Sequence, residues 1–241
     1  PGRWLLMRVD IIIPTYKPDD TFCLLLQKLQ EQTFVIHELI LVNTEETLWN
    51  DAIRKYPIEQ IRKELPFPSR IFHMTRENFD HGGARNTGVG YSGADILIFM
   101  TQDAVPADDR LVEHLVHALT SGASGLGTPA KGAVAVAYAR QLPREDCGII
   151  ERYTRQFNYP KEGCVKSSED IPRLGIKTFF CSDVCAAYRR DLFEQLGRFE
   201  SPVIFNEDMF FAANAIEHGY GVAYAADAKV VHSHNYTMRQ Q

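Results

Sequence analysis

Asp95-Ile96-Leu97-Ile98-Phe99-Met100 runs directly into Thr101-Gln102-Asp103-Ala104-Val105-Pro106. The first stretch has the length and apolar chemistry of a buried strand, and the polar residues leading to Pro106 mark the turn that ends it. A carboxylate, Asp103, therefore sits just past the carboxyl end of a strand. Ligands of open α/β sheets bind there, and an acid in that place can hold a divalent cation against a phosphate. An aspartate capping the next helix gives the same pattern, so Asp103 alone leaves both readings open.

The same rhythm continues on either side. Val9-Asp10-Ile11-Ile12-Ile13 is β-branched and stopped by Pro14, and a helical pattern follows over Phe22 to Gln30 with Asp19 or Asp20 as N-cap. Glu38 to Val42 and Arg70 to Met74 supply two more buried strands, with helical stretches between. Strands alternating with helices predict crossover units, hence an α/β fold with a mostly parallel, Rossmann-like central sheet flanked by helices. Asp108 to Leu119 reads as a helix, Gly122 to Gly132 as a glycine-rich loop, Ala133 to Ala139 as a strand, and Gln156 to Ile176 as irregular. Helices are expected at Arg190 to Leu196 and Glu207 to Glu217, and short strands at Val222 to Tyr224 and Lys229 to Val231. No repeat or interdomain linker interrupts this order, so residues 1–241 are expected to form a single domain. Met7-Arg8-Val9-Asp10 reads as a natural beginning, with Pro1 to Leu6 left over from expression, and a C-terminal extension carrying membrane or acceptor contacts is expected beyond Gln241.

Composition narrows the class. A chain of 241 residues with 45% apolar content can bury a full core. The net charge of -5, with 26 Lys and Arg scattered rather than clustered, argues against nucleic acid as a partner. Five cysteines, odd in number and without a Cys-x-x-Cys pair, support neither a disulfide framework nor a zinc site and fit a reducing cytoplasm. Cys181 and Cys185 can face one another on a helical turn, though small buried thiols explain them as well. No segment reaches the roughly 18 consecutive apolar residues of a membrane span.

Four clusters can carry chemistry. Pro14-Thr15-Tyr16-Lys17 follows the first strand and can expose backbone groups and an aromatic ring to a base or phosphate. In Asn78-Phe79-Asp80-His81-Gly82-Gly83-Ala84-Arg85-Asn86-Thr87-Gly88, paired glycines let backbone approach a ligand, and Arg85 adds a fixed positive fork. A glycine-rich helix start with a surface arginine is the plainer alternative. Glu207 and Asp208 open a helix, where simple dipole complementarity favours acids, yet a carboxylate kept ionised there can take a proton from a hydroxyl. His232 and His234 close the last apolar strand at i,i+2 spacing, which sends both imidazoles to one face if the strand stays extended and lets either join Asp103 at a metal.

Taken in order, these segments resemble the family 2 inverting glycosyltransferases of GT-A fold. Phe79 to Asn86, Thr101-Gln102-Asp103, Ala139-Arg140-Gln141-Leu142-Pro143 and His232 to Tyr236 look most like the bacterial rhamnosyltransferase branch. The resemblance runs from about Val9 to Tyr236 and implies a nucleotide-sugar donor lying across the carboxyl ends of the first four strands. It places Thr15 and Tyr16 by the nucleotide, Asn43 and Glu45 near base or ribose, and Arg85 toward the nucleotide or diphosphate. Gln102, His81 and Arg140 become donor contacts. Asp103 matches the last acid of the family's metal-binding DxD motif and His232 or His234 its late metal-binding histidine, with Mg2+ or Mn2+ as the cofactor. Asp208 matches the general base, and Glu207 is an acceptor contact. A glycan or lipid-linked glycan is the implied acceptor, dTDP-rhamnose the implied donor, and the cytoplasm, at the inner face of the cell membrane, the implied location.

Two positions depart from the family pattern. Asn43 stands where an aspartate often ends the second strand, and Thr101 replaces the first DxD acid. Asn43 and the reduced acid count keep open a catalytically idle nucleotide-sugar-binding module, and a glycosyltransferase using a uridine-linked hexose is the alternative within the enzyme class. A nucleotidyltransferase or a dinucleotide oxidoreductase is disfavoured, because Pro14 to Asp19 contains no glycine for the phosphate loop either would need.

Overall fold

The computed structural model describes residues 7–120, 132–203 and 205–232. Its strands are β1 (Val9–Thr15), β2 (Glu38–Thr44), β3 (Ser69–Met74), β4 (Ile96–Met100), β5 (Val105–Pro106), β6 (Val134–Leu142), β7 (Cys164–Lys166), β8 (Cys185–Arg189) and β9 (Gly221–Val231). The helices are α1 (Asp20–Gln30), α2 (Glu46–Lys55), α3 (Ile58–Glu64), α4 (His81–Tyr91), α5 (Leu111–Thr120), α6 (Ile149–Asn158), α7 (Ile171–Leu174), α8 (Arg190–Gln195) and α9 (Glu207–Glu217).

The described strands make one sheet in the order β3-β2-β1-β4-β8-β6-β9-β5, with β7 also paired to β9. Its first half is parallel, β1 lying between β2 and β4. The second half corrects the expectation of a mostly parallel sheet. β8 runs antiparallel to both β4 and β6, β9 is parallel to β6, and β5 and β7 are antiparallel to β9. Cys185 opens β8, so Cys181 and Cys185 do not share a helical turn, and both are buried free thiols. The two short strands expected near the end are one, β9, whose pairing with β6 shifts register between Ala139 and Arg140. The stretch expected to be irregular holds the end of α6 as well as β7 and α7.

Local chemistry explains the elements that position the rim. Val9, Ile11 and Ile13 alternate with Asp10 and Ile12, so β1 fills a core on each face of the sheet. Asp10 is fully buried on that second side and accepts from Ser92 Oγ at 2.6 Å, with His37 Nδ1 2.7 Å from its other oxygen. α1 is capped by the Asp19 carboxylate, which accepts from the Thr21 and Phe22 amides, and buries Phe22, Leu25, Leu26 and Leu29 at helical spacing. α4 packs on the other face because its glycines permit it: a Cβ at Gly88 would come 2.4 Å from Ile12 Cγ2, and one at Gly82 2.4 Å from the Glu200 carbonyl oxygen. Beneath α4, α8 and α9 lies an aromatic cluster of Phe99, Tyr188, Phe193, Phe199 and Phe211, with centroids as close as 4.8 Å.

Candidate active site

β1, β4, β6 and β9 all end on one rim, and β8 begins there, because it runs against its neighbours. Three groups of side chains gather on that rim.

The first surrounds the ends of β1 and β4. The Gln102 side chain spans the two turns, its oxygen accepting from Tyr16 N at 2.8 Å and its nitrogen donating to the Tyr16 carbonyl at 2.9 Å. Thr15, Tyr16, Gln102, Thr101 and Pro14 line a cavity of about 140 Å³ with Phe79, His81 and Arg85 from the start of α4. The Asp80 carboxylate caps that helix by accepting from Gly83 N at 2.8 Å, which sets His81 at its first turn. Asn43 and Glu45 do not line this cavity. Asn43 is buried, accepting from Thr15 Oγ1 at 3.2 Å and donating to the Glu45 carbonyl and to His73 Nδ1 at 3.0 Å. Glu45 adopts a left-handed backbone, φ 68°, and its carboxylate accepts from the Arg76 amide at 2.5 Å.

The second group joins β4 to β9. His232 Nε2 lies 3.3 Å from Asp103 Oδ2, with the imidazole buried and the carboxylate partly open. The other ring nitrogen, Nδ1, is 3.1 Å from the Gln141 side-chain oxygen near the end of β6. Among the described residues no three His, Cys, Asp or Glu side chains cluster to hold a metal. His234 lies outside the described residues. Arg140 precedes Gln141, and its Nε is buried without a hydrogen-bond partner among the described residues.

The third group is buried beside α9. Arg85 donates from Nη1 to Glu207 Oε1 at 2.8 Å, and its Nε is 3.4 Å from Asp183 Oδ2. Arg85 thus meets protein carboxylates rather than standing as a free fork, and Glu207, expected at the acceptor, is its partner. Glu207 supplies the opposite charge that a buried guanidinium requires, and the Asp183 carboxyl lies on its other side. Asp208, next along α9, accepts from the Asp183 amide at 3.0 Å and from Met209 N at 2.7 Å. Burial raises its carboxyl above the ordinary range, opposed by the Asp183 N–H. Asp183 is pushed up to about 8 by complete burial, opposed by Arg85, while accepting from the Tyr188 hydroxyl at 2.7 Å.

Sequence reading did not identify Asp183. The signal is present, because Phe180-Cys181-Ser182-Asp183 precedes the apolar β8 as a mirror of the β4 pattern, an acid before a strand instead of after one. It is decisive only once β8 is known to run antiparallel.

The arrangement is a cavity at the strand ends, an imidazole facing a carboxylate, and a partly buried acid at a helix start. A family model described as glycosyl transferase family 2 matches residues 10–197. The chain belongs to that family. Within family 2 it is 38% identical over 239 residues to the O-antigen chain rhamnosyltransferase RfbN of Salmonella typhimurium, covering 98% of this chain and 69% of that protein. It is also 36% identical over 237 residues to the O-antigen chain rhamnosyltransferase WbaN of Salmonella anatum, covering 96% and 68% respectively. Among solved structures, the mannosyltransferase PcManGT of Pyrobaculum calidifontis, in complex with GDP-Man and Mn2+, superposes with a TM-score of 0.62 at 17% identity. That match covers 95% of this chain and 61% of the longer one, and it shows a shared GT-A-like fold.

Proposed function

We propose that the chain transfers a sugar, L-rhamnose from dTDP-rhamnose, to a hydroxyl of a surface-polysaccharide or lipid-linked glycan, with inversion at the anomeric carbon. The observation that carries this is the 38% identity, over 98% of the chain, to a protein named as an O-antigen chain rhamnosyltransferase. Residues 1–241 would act as one catalytic domain, working in the cytoplasm at the inner membrane face. Among the described residues no helix is long and apolar enough to cross a membrane.

The residues divide the work. Thr15, Tyr16, His81 and Gln102 line the cavity and would hold the donor, with Gln102 fixing the Tyr16 backbone. Asn43 and Glu45 would shape the nucleotide side from below through Thr15 and Arg76, and Arg140 would contact the donor from β6. A carboxylate oxygen and an imidazole nitrogen 3.3 Å apart form a mixed donor pair suited to Mg2+ or Mn2+. Asp103 and His232 would hold that ion, with His234 as a further candidate ligand, and when bound it supplies positive charge against the departing diphosphate. Asp208 would take the acceptor hydroxyl's proton as that oxygen attacks the anomeric carbon. Two backbone N–H groups orient its carboxylate, and burial raises its basicity. Glu207 and Arg85 would hold the helix start that presents Asp208.

Product formation tests the proposal. The protein is incubated with Mn2+, a glycan acceptor from the corresponding polysaccharide, and dTDP-rhamnose or a UDP-hexose. Rhamnose incorporation from the thymidine-linked donor is expected. Transfer only from the uridine-linked hexose would remove the rhamnosyl assignment, and absence of transfer from every nucleotide-sugar that binds would favour the idle binding module.

A further inference from the structure

The terminal amide of Gln141 is saturated with four partners from three segments: α6 and its C-cap, the turn before β8, and the end of β9. Its nitrogen donates to Tyr159 Oη at 2.6 Å and to Ser182 Oγ at 2.9 Å. Its oxygen accepts from Arg155 Nη1 and faces His232 Nδ1 at 3.1 Å. A guanidinium has donors and no acceptor, so Arg155 decides which end of the amide is oxygen. Against that oxygen, His232 Nδ1 makes a hydrogen bond only when it carries the hydrogen. In the neutral ring Nε2 is then bare, and Nε2 is the nitrogen 3.3 Å from Asp103 Oδ2.

We infer that Gln141 is a positioning residue: it locks the His232 imidazole in the Nδ1–H tautomer, so that Nε2 presents its lone pair beside Asp103. This rests on the metal-holding role given above to Asp103 and His232. The lock extends into α6, because Arg155 is itself held by Glu151 at 3.2 Å, one turn earlier. Tyr159 and Ser182, as hydroxyls, accept the amide hydrogens and complete a buried network with no alternative flip of equal quality. Outer partners of this kind fix the tautomer and aim of a ligating histidine, and losing one typically costs about 10- to 100-fold in metal affinity.

Two measurements test it. Long-range nitrogen–proton NMR of the metal-free protein at pH 8 reads the His232 tautomer, and electron paramagnetic resonance follows binding of Mn2+ alone. Wild type should show the Nδ1–H form. Gln141→Leu should lose that preference and bind Mn2+ about 10- to 100-fold more weakly. Gln141→Glu, whose carboxylate also accepts from Nδ1, should keep both properties. An Nε2–H form in wild-type protein that binds Mn2+ would overturn the role of Gln141 and leave the metal role standing. A wild-type Nδ1–H form with no Mn2+ binding would overturn the metal role and, with it, the purpose assigned here to Gln141. Equal tautomer and affinity in folded Gln141→Leu, or a Gln141→Glu protein as impaired as Gln141→Leu, would also overturn it.

Discussion

Asp208 is held by two backbone amides that favour its charged form, yet burial still lifts its carboxyl. As the proposed base it must be ionised to act, so the rate should climb with pH through a value above the ordinary aspartate range and then level off, which a pH–rate profile will show. Asp208→Asn should lower turnover by roughly 10²- to 10⁴-fold with donor affinity unchanged, as measured by single-turnover kinetics and calorimetry. Asp183 predicts a different effect, on stability. Its carboxyl rises from 3.8 to about 8, so between those values the native protein keeps a proton that the unfolded chain has released. Stability must then fall as pH rises through that window. Denaturant unfolding at pH 5 and pH 8 should show a steeper loss in wild type than in Asp183→Asn, which cannot titrate. Equal losses would mean that Arg85 keeps Asp183 ionised throughout. The sequence made Asp208 and Asp103 visible because each stands at a recognisable junction of strand, turn or helix. Asp183 and the partners of Gln141 were hidden, since Tyr159, Ser182 and Arg155 reach one amide only through tertiary folding.

At the scale of elements, the first half of the chain was readable because β1, β2 and β4 are short apolar runs and α1 and α4 each open on an aspartate cap, Asp19 and Asp80. β8 was not, since Cys185-Ala186-Ala187-Tyr188-Arg189 has small residues equally at home in a helix, and its partners β4 and β6 decide its state. α4 offers a paired test of packing. Gly90→Ala places a methyl where nothing lies within 4 Å, so the helix should gain roughly 0.5–1 kcal/mol. Gly88→Ala drives a methyl to 2.4 Å from Ile12 Cγ2, and overpacking of that kind costs about 1–3 kcal/mol, which should exceed the helix gain. Thermal unfolding of the two variants should therefore move in opposite directions, and a stabilised Gly88→Ala protein would show that α4 can lift off β1 without penalty.

For the whole molecule, alternation of strand and helix predicts the α/β class correctly, and the mixed sheet arises where that alternation loosens after α5. A ligand that binds only the native state raises its stability by about 2.7 kcal/mol at a hundredfold excess over Kd. For a chain of this size that is roughly 5–10 °C in melting temperature. Thymidine diphosphate with Mn2+ should give such a shift in wild type and a much smaller one in Asp103→Ala; an equal shift in both would separate Asp103 from the ion. The reversed direction of β8 has a practical outcome. Chain entering β8 and chain leaving β4, β6 and β9 share one rim, whereas the exposed turn at His218-Gly219, which leads into the first residue of β9, lies at the opposite one. The nine-residue β6 paired alongside β9 spans the same two ends, about 30 Å at the usual rise. An affinity handle or dye inserted at that turn would anchor the protein to a support with the rim that carries the candidate site turned outward, open to the large glycan acceptors of the proposed reaction.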